Sequence, residues 1–355
     1  MNTFDKIRQS LAGRDLDAML LTGETNRKYA TGFHSSAGMA LITGEGAYFY
    51  IDSRYIEAAQ KSIADAVVEM IDINTSYYDK LNAVIDKCGI KRLGVEDGIL
   101  SYNEYNQLKT KLKAELVPAQ ELMTELRMSK SPEEIEKLIA AQRIAEKAFT
   151  EVLGIIKAGM TEKQIAAELI YRMLRNGAEG ISFDPIVVTG VKSSMPHGVP
   201  GDVEIKKGDF VTLDFGCKLD GYCSDMTRTI AVGGVTDEMQ LVYNTVLQAQ
   251  EAGIKIAKAG LTGAQVDAAA REVITKAGYG DYFGHGFGHG LGLDVHEAPT
   301  AGLSGKTAMP VGSVISAEPG IYLPGRFGVR IEDVIVLNET GCTNIMKAPK
   351  DLIII

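Results

Sequence analysis

Two acidic residues, Asp214 and Asp225, stand on either side of a turn sequence, Lys218-Leu-Asp-Gly221. A hairpin loop centred on Leu219-Asp220 pairs them directly, and a loop centred one residue later makes them diagonal neighbours. Both registers place the carboxylates on one face, with Cβ atoms about 5 to 8 Å apart. The strand Phe210 to Phe215 is largely apolar, so two unpaired charges there are costly and a metal ion would compensate them. The alternative is an edge hairpin with two exposed acids.

Two histidines, His285 and His289, lie in a segment where every second residue is glycine, Gly284 to Gly292. Glycine lets a backbone approach its neighbours closely and adopt unusual dihedral angles. The chain has five histidines, and four of them lie in its C-terminal half, with His197 and His296 completing the group. A single histidine is usually a core or surface residue, but this cluster indicates a functional site.

The segment Val329 to Leu337 reads as one strand. Side chains alternate between the two faces of a strand, so Arg330 and Glu332 project to the same side. An arginine beside a metal-binding carboxylate acts either as a partner of that carboxylate or as a clamp for substrate. The alternative is an Arg–Glu pair on the surface.

An internal duplication organises this half of the chain. A Lys-Ala-Gly-hydrophobe-Thr motif with a following Gln starts at Lys157 and recurs at Lys258, and its Thr-x-x-Gln spacing predicts a capped helix start in each copy. A second motif is an apolar strand that ends in a carboxylate, Asp214 in one copy and Glu318 in the other. The repeat is too long for a solenoid and fits two halves that face each other across a pseudo-two-fold axis. Chance similarity is the alternative.

Together these motifs supply four carboxylates and one imidazole: Asp214, Asp225, Glu318, Glu332 and His289. Four negative charges balance two divalent cations. Oxygen-rich ligation without sulfur favours Mn²⁺, Co²⁺, Fe²⁺ or Zn²⁺ over Cu⁺. Two such ions about 3.5 to 4 Å apart activate a water molecule and polarise a carbonyl. We therefore predict a two-metal hydrolytic site.

The overall composition is that of an ordinary globular protein of about two domains. A net charge of -9 argues against a nucleic-acid partner, because phosphate binding needs a basic face. The N-terminal segment lacks the apolar core of a signal peptide, and no run approaches the roughly 20 apolar residues of a membrane span. Four irregularly spaced cysteines indicate reduced thiols rather than a disulfide framework. We expect a cytoplasmic protein without a membrane partner.

The first part of the chain alternates strand and helix patterns, which predicts an α/β domain. A helix start follows at Ser131, where Ser, Pro and two acids occupy the positions typical of a helix N-terminus. We expect the domains to span residues 1–127 and 128–355. The predicted strands are Ala18–Leu21, Met39–Ile42, Ala47–Ile51 and Arg92–Val95.

These motifs resemble the pita-bread metallopeptidase family, which includes methionine aminopeptidase, aminopeptidase P and prolidase. The resemblance implies an α/β N-terminal domain and an α+β pita-bread catalytic domain with a pseudo-two-fold internal repeat. The N-terminal domain, with its Tyr29-Ala-Thr-Gly-Phe and Asp52-Ser-Arg-Tyr55 segments, is similar to that of aminopeptidase P, prolidase and creatinase. Methionine aminopeptidases lack this domain, and creatinase lacks the metal ligands. The resemblance therefore implies the proline-specific branch.

The resemblance also implies a role for each site residue. Asp214 chelates one metal ion, His289 and Glu318 bind the other, and Asp225 and Glu332 bridge them. Glu318 also shuttles a proton. Two further groups complete the set. His197 and His296 stabilise the tetrahedral intermediate or position substrate, while His285, Tyr322 and Arg330 line the proline or carboxyl side.

The expected reaction is hydrolysis of the Xaa–Pro bond at the N-terminus of short peptides or dipeptides with proline at the second position. The expected cofactors are two divalent ions, with manganese favoured and cobalt, zinc or iron accepted. A homodimer is expected. The choice between dipeptidase and aminopeptidase stays open, and the alternative function is non-catalytic peptide binding on the same fold.

Overall fold

The computed structural model describes residues 2–355 and divides the chain into two compact units, Met1–Leu126 and Arg127–Ile355. The helices are α1 (Thr3–Ala12), α2 (Glu24–Thr31), α3 (Ile56–Ser62), α4 (Tyr77–Cys88), α5 (Tyr102–Lys111), α6 (Gln120–Met128), α7 (Pro132–Leu153), α8 (Glu162–Arg175), α9 (Asp237–Ile256) and α10 (Gly263–Lys276). Two short 3₁₀ helices cover Gly190–Ser194 and Gly280–Tyr282.

The first unit is built on a six-stranded mixed sheet with the order β4-β3-β2-β1-β5-β6. Its strands are β1 (Ala18–Leu21), β2 (Met39–Thr43), β3 (Ala47–Ile51), β4 (Val67–Met70), β5 (Arg92–Val95) and β6 (Glu115–Pro118). The central strand β1 is buried along its whole length, as expected where both faces of a sheet are covered. The four strands predicted from the sequence are confirmed. The two outermost strands, β4 and β6, were not predicted, because each is short and mixes polar with apolar residues.

The second unit contains four sheets and four long helices. Its strands are β7 (Gly180–Ile181), β8 (Ile186–Thr189), β9 (Phe210–Phe215), β10 (Cys217–Leu219), β11 (Tyr222–Cys223), β12 (Met226–Ala231), β13 (Gly288–Gly290), β14 (Glu297–Ala301), β15 (Val314–Ala317), β16 (Gly320–Leu323), β17 (Phe327–Arg330), β18 (Asp333–Leu337) and β19 (Cys342–Asn344). The sheets have the orders β11-β10-β7, β12-β9-β8, β14-β13-β15-β18-β19 and β16-β17. One apolar core, which includes Val246, Val266, Ile315 and Ile335, joins α9 and α10 to the sheets.

The helix starts follow the capping residues in the sequence. The hydroxyl of Ser131 accepts a hydrogen bond from the backbone of Glu134 and begins α7 as predicted. Thr161 and Thr262 cap α8 and α10 in the same way, and each has its Gln partner three residues later. A reciprocal cap of this kind satisfies two backbone donors that the helix itself leaves unpaired.

The two copies of the internal repeat have equivalent backbone pairing. The amide of Gly159 donates to Ile205 O over 2.9 Å in the first copy, and that of Gly260 donates to Met309 O over 2.9 Å in the second. An isolated bridge follows in each copy, Thr161 with Glu204 and Thr262 with Ala308. The duplication that was inferred from the sequence is therefore present in the structure.

The hairpin that carries Asp214 and Asp225 has the second of the two predicted registers. Asp214 pairs with Thr227, and Lys218 pairs with Cys223, so Asp225 lies diagonally from Asp214. The turn residues Asp220 and Gly221 have φ angles of 50° and 79°. Positive φ at both turn positions is the geometry of the tight hairpin turn that matches strand twist.

The predicted single strand Val329–Leu337 is wrong at its centre. The chain leaves β17 after Arg330, which pairs with Gly320, and enters β18 at Asp333, which pairs with Ala317. Between the two sheets, the amide of Glu332 donates to Thr227 O over 3.1 Å. Glu332 thus stands where the chain crosses from one sheet to another, and a third strand holds its backbone.

Candidate metal centre

A cavity of about 420 Å³ opens among the sheets of the second unit. Its walls contain nine of the ten predicted site residues, namely Asp214, Asp225, His289, Glu318, Glu332, His197, His285, His296 and Arg330. Tyr322 lies beside this wall, where its hydroxyl is 2.9 Å from Nε2 of His285. The remaining lining includes the apolar side chains of Phe183, Ile186 and Val295.

Three potential metal ligands are close together at the base of the cavity. Asp225, His289 and Glu332 each offer one donor atom, and these atoms all lie within 4.8 Å of one another. Nε2 of His289 is also 3.1 Å from Oε1 of Glu318. The other ring nitrogen, Nδ1, lies 3.1 Å from the carbonyl of Gly290, which fixes the ring so that Nε2 faces the carboxylates.

The buried carboxylates of Asp225 and Glu332 would be stabilised by nearby positive charge. Burial, reinforced by Asp214, raises the pKa of Asp225 well above its usual range, and burial together with Asp225 does the same for Glu332. Oε1 of Glu332 is buried and has no hydrogen-bond partner within residues 2–355. A buried acceptor without a partner is costly. This oxygen and its acidic neighbours therefore fit the coordination of divalent metal ions.

The remaining carboxylates are partly compensated within the protein. Burial raises the pKa of Asp214, and Arg330 opposes the rise. Burial acts on Glu318 in the same direction, but the hydrogen bond and charge of His289 outweigh it and lower the pKa of Glu318 to about 2. Burial lowers the pKa of His289, but Glu318 and Asp225 raise it to about 9.

Arg330 is buried and is engaged by several partners. Nη2 lies 2.6 Å from Oδ2 of Asp214, Nη1 donates to the hydroxyl of Tyr322 over 2.9 Å, and Nε donates to Oγ1 of Thr227 over 3.0 Å. The geometry therefore favours the first of its two predicted roles, as a partner of a carboxylate. Direct contact between Arg330 and substrate stays a prediction.

Thr227 belongs to the site and was not predicted. Its hydroxyl accepts from Arg330 and donates to Oε2 of Glu332 over 3.0 Å. The sequence carried a signal for it, because Thr227 lies two residues after Asp225 and alternation places both side chains on the same face.

Ser316 in β15 supports Glu318, which lies two residues further along the chain. Its hydroxyl donates to Oε1 of Glu318 over 2.9 Å and accepts from the amide of His289 over 3.0 Å. The glycines beside His289 allow this approach, because a Cβ atom at Gly288 would lie only 2.0 Å from Ser316 O. The predicted reason for the glycine-rich segment, close backbone contact, is confirmed at this position.

The other three histidines of the predicted site, His285, His296 and His197, line the cavity in different environments. His285 contacts Tyr322 and the carbonyl of Gly286, and burial lowers its pKa. The ring of His296 meets that of His289 edge to face at a centroid distance of 4.1 Å, and burial lowers its pKa as well. His296 and His197 are both exposed residues that line the cavity.

Family models match both parts of the chain. The model for metallopeptidase family M24 matches residues 136–339, and the model for the creatinase/prolidase N-terminal domain matches residues 4–129. The chain therefore belongs to metallopeptidase family M24 and is a metallopeptidase. The expected fold, an α/β N-terminal domain followed by a pita-bread catalytic domain, is confirmed.

Relatives match along nearly the full length. The chain is 37% identical over 350 residues to the Xaa-Pro dipeptidase of Pyrococcus horikoshii, covering 98% of this chain and 97% of that protein. The solved structure of the Xaa-Pro dipeptidase from Bacillus anthracis superimposes with a TM-score of 0.95 at 42% identity, covering 99% of each chain. That of the X-Pro aminopeptidase from Thermotoga maritima gives 0.92 at 37% identity, covering 98% of this chain and 100% of the other.

No helix within residues 2–355 is long and apolar enough to cross a membrane.

Proposed function

We propose that this protein is a dimetal peptidase that hydrolyses the bond between an N-terminal residue and a following proline. The main support for this proposal is the cavity whose lining contains four carboxylates and His289. Among these carboxylates, Oε1 of Glu332 is buried and has no hydrogen-bond partner within residues 2–355, which supports its role as a metal ligand. Full-length similarity to Xaa-Pro dipeptidases and to an X-Pro aminopeptidase supports the substrate class.

The proposed metal ligands are Asp214, Asp225, His289, Glu318 and Glu332. Asp225, His289 and Glu332 would hold metal together, because one donor atom of each lies within 4.8 Å of the other two. Oxygen-rich ligation is compatible with Mn²⁺, which we favour, and with Co²⁺, Fe²⁺ or Zn²⁺. Bound in this site, such ions supply Lewis acidity to the scissile carbonyl and activate the attacking water.

Glu318 is the proposed proton carrier. Glu318 lines the cavity 3.1 Å from Nε2 of His289, where its carboxylate can accept a proton from the attacking water. The leaving proline nitrogen carries no hydrogen of its own in the peptide and must receive that proton. Ser316 holds Oε1 at 2.9 Å, which fixes the carboxylate during the transfer.

The remaining site residues orient the substrate. His197 and His296 stand at the open mouth of the cavity, where imidazole N–H groups can stabilise the developing negative charge on the carbonyl oxygen. His285 and Tyr322 hold each other by a 2.9 Å hydrogen bond, and with Arg330 they form the proposed proline side. Phe183 adds an apolar wall that suits the proline ring.

The test uses purified, metal-reconstituted protein with Ala-Pro, Ala-Pro-Ala-Ala and Ala-Ala as substrates. Cleavage of the proline-containing peptides, with Ala-Ala cleaved much more slowly, is the expected result. The relative rates on Ala-Pro and Ala-Pro-Ala-Ala decide between dipeptidase and aminopeptidase. If the protein binds these peptides but hydrolyses none of them with Mn²⁺, Co²⁺, Fe²⁺ or Zn²⁺, the non-catalytic alternative is favoured.

Two variants sharpen the test. Glu318→Gln keeps the size of the side chain but removes the base, and we expect a folded protein whose kcat falls at least about 100-fold. Glu339→Gln alters a residue outside the cavity and serves as the matched control with unchanged kcat. Full activity of the Glu318 variant would contradict the assignment.

We further propose a homodimer and a cytoplasmic location. Light scattering on the purified protein and fractionation of the native cells test these two points separately from the activity.

A further inference from the structure

The segment 190–201 carries two residues of the cavity wall, Pro196 and His197. It begins with the 3₁₀ helix Gly190–Ser194 and continues as a loop to the region before β9. His197 is exposed, and its side chain makes no hydrogen bond within residues 2–355. The position of this imidazole therefore depends on the path of the main chain.

One buried carboxylate holds both ends of this segment. Glu162 is the first residue of α8 and is fully buried, outside the cavity wall. Its Oε1 accepts from the amide of Thr189 over 2.9 Å, immediately before the segment, and its Oε2 accepts from the amide of Gly201 over 2.8 Å at the end. The two anchoring points lie four residues or more from His197 along the chain.

Lys192 extends the anchoring into the segment. Its Nζ lies 2.5 Å from Oε2 of Glu162 and donates to the carbonyl of Val199 over 2.6 Å. Val199 is two residues after His197. Pairing with Lys192 also compensates the buried charge of Glu162, which would otherwise be costly. A Cβ atom at Gly201 would lie 3.2 Å from Nζ, so glycine gives the ammonium group its space.

The second copy of the internal repeat contains a comparable arrangement. Asp267 in α10 is fully buried and accepts from the amide of Phe287 over 2.9 Å. Its partner Arg271 lies 2.8 Å away and donates to the carbonyl of His285 over 2.7 Å. In both copies, an acid near the start of the repeat helix, with a basic partner, fixes the backbone of a segment that carries a histidine of the cavity.

We propose that Glu162, acting through Lys192, positions His197 for catalysis. This inference rests on the proposed function, because the catalytic use of His197 belongs to that proposal. Glu162 and Lys192 are positioning residues, since neither lines the cavity. The ion pair restricts the segment to one path, and displacement of a substrate-orienting group by about 1 Å can cost 100-fold in rate.

The first test is Glu162→Gln, which keeps the size of the side chain and removes the charge that holds Lys192. We expect kcat/KM on Ala-Pro to fall at least about tenfold, with metal content close to that of the parent and a lower thermal midpoint, because the ion pair of a buried carboxylate is broken. Lys192→Arg, which keeps the cation, should retain much more activity than Lys192→Met. Loss of bound metal in Glu162→Gln, or unchanged kcat/KM, would overturn the proposal.

Lys163 and Asp202 provide a matched control at the same end of the segment. Their side chains form a 3.2 Å ion pair and are 59% and 84% exposed. Exposed pairs of this kind contribute little, so Lys163→Ala should have the kinetics of the parent protein.

A double-variant experiment separates positioning from general stabilisation. If Glu162 acts through His197, then Glu162→Gln should cause no further loss of kcat in a His197→Ala background. Additive losses would show that Glu162 acts by another route and would overturn the proposal.

Hydrogen–deuterium exchange gives a readout that does not depend on peptidase activity. Amides of Thr189 and Gly201 should exchange faster in Glu162→Gln than in the parent or in Lys163→Ala. Unchanged exchange would overturn the proposal whatever the activity. A parent protein that cleaves no Xaa-Pro peptide, with faster exchange in the variant, would instead reject the proposed function and leave the anchoring intact.

Discussion

Nη2 of Arg330 donates to Oδ2 of Asp214 over 2.6 Å, and both side chains are buried. The same guanidinium group donates through Nε to Thr227, whose hydroxyl donates to Glu332. Arg330 therefore links two proposed metal ligands, Asp214 in β9 and Glu332 between β17 and β18. Because arginine offers several donors in a rigid fork, it can orient both carboxylates at once.

Replacing Arg330 should weaken metal binding even when the positive charge is kept. Arg330→Lys keeps the positive charge but loses the fork, so we expect bound metal to decrease and kcat to fall at least about tenfold, in line with the cost of removing a partner of a ligand. Metal content by elemental analysis and steady-state kinetics check this. The control is Arg326→Lys in the turn of the same hairpin, where Arg326 pairs with Glu238 at the surface. Full metal content in the Arg330 variant would contradict the prediction.

Removing the metal ions should destabilise the protein, because Asp225 and Glu332 then remain buried beside each other without a cation. Dialysis against a chelator should lower the thermal midpoint, and Mn²⁺ should restore it. A ligand at 100 times its Kd stabilises the folded state by about 2.7 kcal/mol. Glu332→Gln should reduce the shift produced by Mn²⁺. An identical midpoint with and without metal would argue against a metal site in this cavity.

The hydroxyl of Thr227 should matter for the site although it is not a proposed ligand. Thr227→Val preserves the shape of the side chain but leaves Nε of Arg330 and Oε2 of Glu332 without this partner. An unsatisfied buried polar group costs about 1 to 3 kcal/mol. We expect lower stability and weaker metal binding, measured by urea unfolding and metal titration. In Thr212→Val, where the hydroxyl lies 3.3 Å from that of Thr229 instead, metal binding should be unchanged.

Local sequence patterns predicted those parts of the site that short-range geometry determines. The tight turn at Asp220 and Gly221 restricted the hairpin to two registers, and both placed Asp214 and Asp225 on one face. The glycines around His289 likewise predict close backbone contact, although they do not identify the contacting residue, Ser316. Alternation within one strand and the steric demands of glycine depend on neighbouring residues alone.

Features that depend on distant pairing could not be predicted in the same way. The break between Arg330 and Asp333 arises because β17 pairs with β16 while β18 pairs with β15. The alternation of apolar and polar residues in this segment gives no sign that its pairing partner changes. The sequence allows two roles for Arg330 for the same reason, because the orientation of its side chain depends on Asp214, which is 116 positions away in the sequence.

A deeply buried ion pair of the second unit lies beside Glu332, a proposed metal ligand, and offers a test of stability. Nη2 of Arg228 lies 2.9 Å from Oδ1 of Asp333, and the two side chains are 1% and 0% exposed. The guanidinium group also donates to the carbonyls of Glu332, Ala348 and Pro349, so it links the C-terminal segment to the backbone of Glu332.

Removing one partner of a buried ion pair costs about 3 to 5 kcal/mol when the remaining charge is uncompensated. Lys350 lies 3.0 Å from Oδ2 of Asp333 and retains part of the compensation, so Arg228→Met should lower the free energy of unfolding in urea by less than that amount. It should also release the segment around Ala348, which limited proteolysis would detect as new cleavage near the C-terminus. Lys276→Met is the control, because Lys276 pairs with Glu272 at the surface of α10, and its unfolding midpoint should be unchanged. If Arg228→Met were as stable as this control, Arg228 would not anchor the C-terminal segment.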